Sequence, residues 1–440
     1  MRNLALALLA SILATAPLPV PANAEGLEAE IDRLAAEVEP QVIAWRRDIH
    51  QHPELSNREF RTAKLVADHL EKLGIEVRRE VAHTGVVGLL RGGKPGGVVA
   101  LRADMDALPV TEEVDLPFAS KVRTTYLDRE VGVMHACGHD AHTAILLGVA
   151  EVLTGVREEI PGSVLFLFQP AEETPPPGEE GGARLMIEEG ALEDPAPDAI
   201  FALHVVPQYR AGEIAYRPGG AMASSDKLEV VVRGKQTHAA YPWMGVDPIA
   251  VASRIVLALQ ALPGRQVDAR LPSVVSIGSI HGGVRYNIIP DQVELHGTIR
   301  TLDQSIQPDL LRRIRTTATK IAESAGASAE VNIKINYPVT FNDPELTARM
   351  EPILRRVAGQ DRLVMGLPRT GAEDFAFFSQ RVPGLYFWLG ARSPDVAEED
   401  AASTHSPLFR VDESALILGV RAMANLAVDF LATESAAETR

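Results

Sequence analysis

Cysteine is almost missing from this chain: 440 residues contain one, Cys137. An internal disulfide is therefore excluded. Aromatic residues make up 5%, so no large aromatic pocket announces itself. Positive charge is in deficit, with 43 Lys and Arg against 59 Asp and Glu and a net charge of −16. That balance argues against a nucleic-acid partner or an anionic membrane surface. Past the N-terminus no apolar run reaches the ~18 residues of a membrane span. Internal repeats are absent as well.

What is present is ordinary globular composition, 46% hydrophobic and 23% charged, in a chain long enough for about two or three domains. The first residues read as a leader. Arg2 gives a positive start, Leu4 to Leu13 is an apolar run too short to span a bilayer, and Ala22-Asn23-Ala24 is a small-x-small cleavage site. The expectation is a signal peptide over residues 1–24, a mature chain starting near Glu25, and a periplasmic or secreted location. A free thiol in an exported protein meets oxidants, and metal ligation is a reason for it to survive.

The lone cysteine lies in the densest chemistry of the chain, Met134-His135-Ala136-Cys137-Gly138-His139-Asp140-Ala141-His142. Thiolate and imidazole beside a carboxylate suit a borderline transition metal such as Zn²⁺ or Mn²⁺. The apolar run from Ala144 to Ala150 reads as a buried helix. The ligands then sit on the loop entering that helix and on its first turn, where free N–H groups favour a thiolate.

Three apolar strands each end in polar residues. Val98 to Leu101 leads to Arg102-Ala103-Asp104-Met105-Asp106-Ala107-Leu108-Pro109. Ser163 to Phe168 leads to Gln169-Pro170-Ala171-Glu172-Glu173, and Ala199 to Leu203 to His204. Open α/β sheets place their sites in this way, at the carboxyl ends of strands. An adjacent Glu pair can divide two roles, one carboxylate binding metal and its neighbour accepting a proton from water. With Cys137 and His139, the residues Glu173, His204 and His405 make a five-ligand set, enough for two metals sharing the thiolate. His50 and His52, at a helix exit before Pro53, are further candidates.

From about Pro218 to Tyr337 the pattern changes to β-α-β-β-α-β, the order of a ferredoxin-like domain. Asp247-Pro248 caps its first helix. The expected organisation is a mixed-sheet α/β catalytic domain over residues 25–217 and 338–440. Residues 218–337 form an inserted α+β module. Pro175 to Gly182 is a low-complexity loop after the Glu pair.

These motifs, with Asn287-Ile288-Ile289-Pro290 and Gly371-Ala372-Glu373-Asp374-Phe375, resemble the two-metal amidohydrolase family of hippurate hydrolase, aminoacylases and plant indoleacetyl-amino-acid hydrolases. Carboxypeptidase G is a more distant relative. The resemblance covers nearly all of the mature chain. It implies two divalent ions, Zn²⁺, Mn²⁺ or Co²⁺, bridged by Cys137. His139 and His204 complete one site, Glu173 and His405 the other. Glu172 is implied as general base and Asp104 as the carboxylate that orients a ligand imidazole. The inserted module resembles the family's lid, through which a homodimer forms. His238 then stabilises the oxyanion across the dimer, and Asn287 and Arg300 hold the substrate carboxylate. On the residues alone none of these three stands out. His135 and His142 read as supporting or structural groups, and Trp243 as either a cleft aromatic or lid packing. The Pro175 to Gly182 loop is longer and richer in proline than the family pattern and could reshape the acyl pocket.

The implied activity is hydrolysis of the amide of an N-acyl amino acid or a similar small carboxylate-bearing amide. A dipeptidase or carboxypeptidase of the same family is the alternative. A periplasmic binding protein without catalysis is a third, which an intact Glu172 disfavours.

Overall fold

A computed structural model describes residues 24–438. Apart from Ala24, the expected leader lies outside the described residues. An eight-stranded mixed sheet forms the larger part. Its strands run in the order Glu76–Val81, Gly85–Arg91, Pro161–Gln169, Lys94–Asp104, Ala199–Arg210, Gly384–Arg392, Ile214–Tyr216 and Leu363–Met365. The four central strands are mutually parallel. Both faces are covered, so these strands read as continuous apolar runs. In the strand Gly384–Arg392, Leu385, Phe387 and Leu389 point into one core. Tyr386 and Trp388 point into the other.

The first core is roofed by the helices Ala24–Gln51, His139–Gly155 and Leu416–Glu438. The last is long and apolar enough to cross a membrane by length and composition. The expectation that no such stretch exists is therefore corrected. Most of its apolar window is buried, against the sheet and the other helices. The reason is position: a helix with protein on all sides needs no polar face.

Between Ser225 and Tyr337 lies a four-stranded antiparallel sheet, ordered Ser273–Gly282, Gln292–Thr301, Ser225–Arg233, Ser328–Tyr337. The helices Pro248–Gln266 and Gln307–Ser324 pack on it around a separate core. Asp247 caps the first, accepting from the N–H groups of Ile249 and Ala250. The fold is thus a mixed α/β sheet carrying an inserted antiparallel lid.

Candidate metal centre and hydrolytic site

The backbone around Cys137 is shaped by Gly138, which takes φ +89° and starts the helix His139–Gly155. A Cβ there would lie 2.3 Å from the Val205 side chain, so only glycine lets the loop meet the neighbouring strand. His204 comes from that strand, which does not end at Leu203 as expected but runs on to Arg210. Its ring is still aimed at the loop, with Nε2 3.3 Å from Cys137 Sγ. The Ser403 to Pro407 segment is drawn in by His405, whose N–H donates to the Ala136 carbonyl at 2.7 Å. His405 Nε2 lies 3.0 Å from Glu173 Oε1.

The five expected ligands therefore converge in two groups, Cys137, His139 and His204, and Cys137, Glu173 and His405. Within each, all donor atoms lie within 4.8 Å of one another. Cys137 belongs to both. His139 Nε2 is buried and has no hydrogen-bond partner among the described residues. A buried polar atom without a partner is costly. One soft sulfur, three imidazoles and a carboxylate are the donor set of a borderline divalent ion. The residues fit a pair of such ions. Burial and then Glu173 and Glu172 push the Cys137 thiol well above its ordinary range, so a cation is what would make it a thiolate.

Glu172 sits beside these groups, buried among acids. Burial first, then Glu373, Glu173 and Asp374, hold its carboxyl well above the usual range. A carboxyl raised in this way binds a proton more tightly, which suits a group that must accept one, and divalent ions beside it would favour its ionised form. The turn that presents the Glu pair is strained, with Ala171 at φ +54° and Thr174 at φ +116°. Buried carboxylates pin it. Glu59 accepts from the Ala171 N–H at 2.9 Å. Asp106 accepts from the N–H groups of Glu172 and Glu173 at 3.1 and 3.0 Å.

Asp106 is the residue that sequence reasoning passed over. The expected orienting carboxylate, Asp104, lies 2.6 Å from Nδ1 of His142 but 3.8 Å from His139. Asp106 is the one within reach of His139, at 3.2 Å. His142 is not a ligand: its Nε2 accepts from the Val205 N–H at 2.8 Å, so its ring ties strand to helix. His50 lies 2.8 Å from Asp140 and 3.1 Å from Glu112, while His52 is exposed and folds back on the Asp48 carbonyl. Neither joins the cluster. His135 is buried, and neither ring nitrogen has a partner among the described residues. Arg102 knits three motifs together, donating to Asp104, Gln169, Glu373 and Asp374 at 2.7 to 3.0 Å.

The cleft over these groups has a volume of about 1060 Å³, and the lid contributes Ser225, Arg300 and Tyr337 to its wall. The Tyr337 hydroxyl donates to the Glu172 carbonyl at 3.0 Å. His238 and Asn287 are not in this wall. They lie together on the paired segments Thr237–His238 and Ile288–Ile289 and the residue before the latter. His238 is exposed, beside Tyr241. Trp243 is 76% exposed on the same surface, so it neither lines the cleft nor packs inside the lid. The Pro175 to Gly182 loop is also outside the cleft wall. Asn57 and Arg58 hold it through Glu179, which draws it away from the pocket it was expected to reshape.

An α/β sheet presenting two ligand groups with one shared sulfur, and a buried carboxyl beside them, defines a metal-dependent hydrolase. Residues 100–429 match the model of peptidase family M20/M25/M40, and the chain belongs to that family of amidohydrolases and peptidases. It is 44% identical to thermostable carboxypeptidase 2 of Saccharolobus solfataricus over 396 residues, covering 90% of this chain and 96% of that one. It is 39% identical to the IAA-amino acid hydrolase ILR1-like 2 of Arabidopsis thaliana over 400 residues, 89% and 86% of the two chains. Among solved structures it resembles the Bacillus subtilis YXEP protein, described as a dinuclear metal binding peptidase. The TM-score is 0.76 at 36% identity, covering 90% of this chain and 99% of that one.

Proposed function

We propose that the protein hydrolyses the amide bond of N-acyl amino acids or similar small amides bearing a free carboxylate. The observation that carries this reading is one cleft lined by Cys137, Glu173, His204, His405 and Glu172 together with the guanidinium of Arg300, which forms no ion pair among the described residues. Two divalent ions held by Cys137, His139, His204, Glu173 and His405 would supply Lewis-acid activation of water and of the scissile carbonyl. Glu172 takes a proton from the attacking water on its carboxylate and returns it to the leaving nitrogen. Asp106 holds the main chain of both glutamates while this happens. Arg300 orients the substrate through its carboxylate, by a bidentate pair.

His238 and Asn287 are assigned the oxyanion and the substrate carboxylate, reached from a second copy of the chain. Their distance from the cleft wall and the exposed Tyr241, Trp243, Val284 and Tyr286 around them support a dimer through the lid. The leader supports export, which N-terminal sequencing of the mature protein tests: a chain still starting at Met1 removes that reading.

The carboxypeptidase relatives, 43 and 44% identical, favour peptides as a second substrate reading. A peptide and an N-acyl amino acid offer the same amide and the same terminal carboxylate. A panel of N-acyl amino acids and dipeptides, each with its carboxyl-amidated twin and assayed with Zn²⁺, Mn²⁺ and Co²⁺, decides. Turnover confined to dipeptides selects the second reading. Equal turnover of acid and amide removes the role of Arg300.

A further inference from the structure

Four arginines line the cleft: Arg210, Arg300, Arg369 and Arg392. Arg392 is spoken for, donating to the carbonyls of Pro207 and Val396 at 3.1 and 2.8 Å and lying 4.0 Å from Glu398. Arg210 is exposed to water. Arg300 and Arg369 are both partly buried, and neither forms an ion pair with a carboxylate among the described residues. A guanidinium drawn from water without an anion is unfavourable. Here the wall holds two such groups, Arg300 with the Asp226 carboxylate near it but not in an ion pair, and Arg369 with no carboxylate partner among the described residues.

Arg369 is fixed more firmly than a surface arginine. Its N–H donates to the Ala221 carbonyl, and its own carbonyl accepts from Ala223, both at 2.9 Å. The loop that carries it lies flat on the sheet because of Gly366, where a Cβ would stand 2.8 Å from the Trp388 ring. The guanidinium is 5.0 Å from the centre of that ring and 6.0 Å from that of Tyr209. Both terminal nitrogens donate to Gln208 Oε1 at 3.2 Å, and the Tyr209 hydroxyl is a second neutral partner. Stacking on an aromatic face leaves the remaining N–H edge of an arginine free for a planar anion. Trp388 is the register partner of His204 on the adjacent strand. The group therefore stands on the sheet next to a metal-ligand candidate, and it lines the same cleft as the lid's Arg300.

We propose that Arg369 is a specificity-determining residue that receives a second carboxylate, so that the preferred substrates are amides bearing two carboxylates. This rests on the proposed amide hydrolysis, in which Arg300 takes the first carboxylate. The second is carried either by the acyl group or by the side chain of an acidic amino acid. A charged hydrogen-bonded pair in a cleft discriminates more sharply than apolar contact, because the isosteric amide leaves the guanidinium unmatched.

The test uses full-length, metal-loaded protein and two matched substrate pairs. N-acetylglutamate against N-acetylglutamine places the second carboxylate on the amine side. N-succinylalanine against its succinyl monoamide places it on the acyl side. In at least one pair the dicarboxylate is preferred by about ten- to hundredfold in kcat/KM, and the pair that shows it locates the group. Arg369→Gln lowers that ratio about tenfold, and Arg369→Lys restores part of it. Gln208→Glu, which gives Arg369 an internal carboxylate in an isosteric side chain, lowers the ratio in the same way and stands in if the arginine variants do not fold. Turnover of the monocarboxylate amides with no preference in either pair overturns this inference alone. So does a preference that all these variants leave unchanged. No turnover of any amide on the panel overturns the proposed function along with it.

Discussion

One oxygen of Asp106 serves both His139 and the general-base candidate: Oδ1 lies 3.2 Å from His139 Nδ1 and accepts from the Glu172 N–H at 3.1 Å. The other oxygen accepts from Glu173 N–H and from the Ser56 hydroxyl at 3.0 and 2.7 Å. A single buried carboxylate thereby sets the ring of one ligand and the main chain of another. Burial lowers the proton affinity of His139, and Asp104 and Asp106 outweigh it; the contact with Asp106 suits a proton on Nδ1 and leaves Nε2 for a metal.

Replacing Asp106 tests this hub. Asp106→Ala frees the His139 ring and leaves the N–H groups of Glu172 and Glu173 without an acceptor. Loss of such a supporting carboxylate typically costs ~10–100-fold in metal affinity or activity. Metal competition against a chelator is expected to show a drop in that range, with kcat falling too. An unchanged affinity would mean that His139 is oriented by other contacts.

Glu172→Gln separates the base from the ligands. The amide is nearly isosteric and cannot accept the proton. Turnover is expected to fall ~10²–10⁴-fold while bound metal per chain stays the same. Metal analysis alongside kinetics reads both numbers. Near-native kcat rejects the role, and loss of metal instead exchanges the parts given to Glu172 and Glu173.

The lid assignment is tested by mixing. His238→Ala is expected to lower kcat without loss of metal. If His238 reaches the cleft of a second copy, inactive His238→Ala and inactive Glu172→Gln proteins regain activity when their subunits exchange, because one cleft of each hybrid is complete. Exchange proved by mass spectrometry with no recovery would sink the trans assignment.

His69 offers a pH dependence away from the metal site. It packs edge-on against Trp45, with ring centres 4.6 Å apart. Burial, and then Lys72, lowers it to about 4. The unfolded ring takes a proton near pH ~6.5, the folded one only near 4. On acidification the unfolded state therefore gains the proton first, and stability present above pH ~6.5 is lost as pH falls toward 4. Between pH 7 and pH 5 the loss is about 1–2 kcal/mol. His69→Phe should flatten that part of the curve, read as urea midpoints at the two pH values. Identical slopes for both proteins would exclude His69 as the source.

Periodicity and strand endings were enough to place the long elements, but not short strands such as Ile214–Tyr216 and Leu363–Met365 at the sheet edge. The fully buried parallel strands are short apolar runs, the lid strands alternate, and Asp247-Pro248 announces its helix. Four of the five ligand candidates were legible because each is a metal-binding residue type at the end of an apolar run or in a dense histidine motif; His405, a single histidine in a polar segment, had no such signal and stood out only beside the other four. Pairings between carboxylates and rings were not legible. Asp104 and Asp106 have the same chemistry and stand two residues apart where the strand is ending. Only the turn that follows Asp104, against the main chain at Glu172 and Glu173, sends Asp106 to His139 and Asp104 to His142. His50 looked like a ligand because the sequence does not show that Asp140 and Glu112 close around it. Arg369 gave no signal at all. Its character comes from Gly366, Trp388 and Gln208, which touch it from three separate parts of the chain. Residue types and spacing decide what chemistry is available; the packing of distant segments decides which partner each group meets and which charge is left unpaired in the cleft.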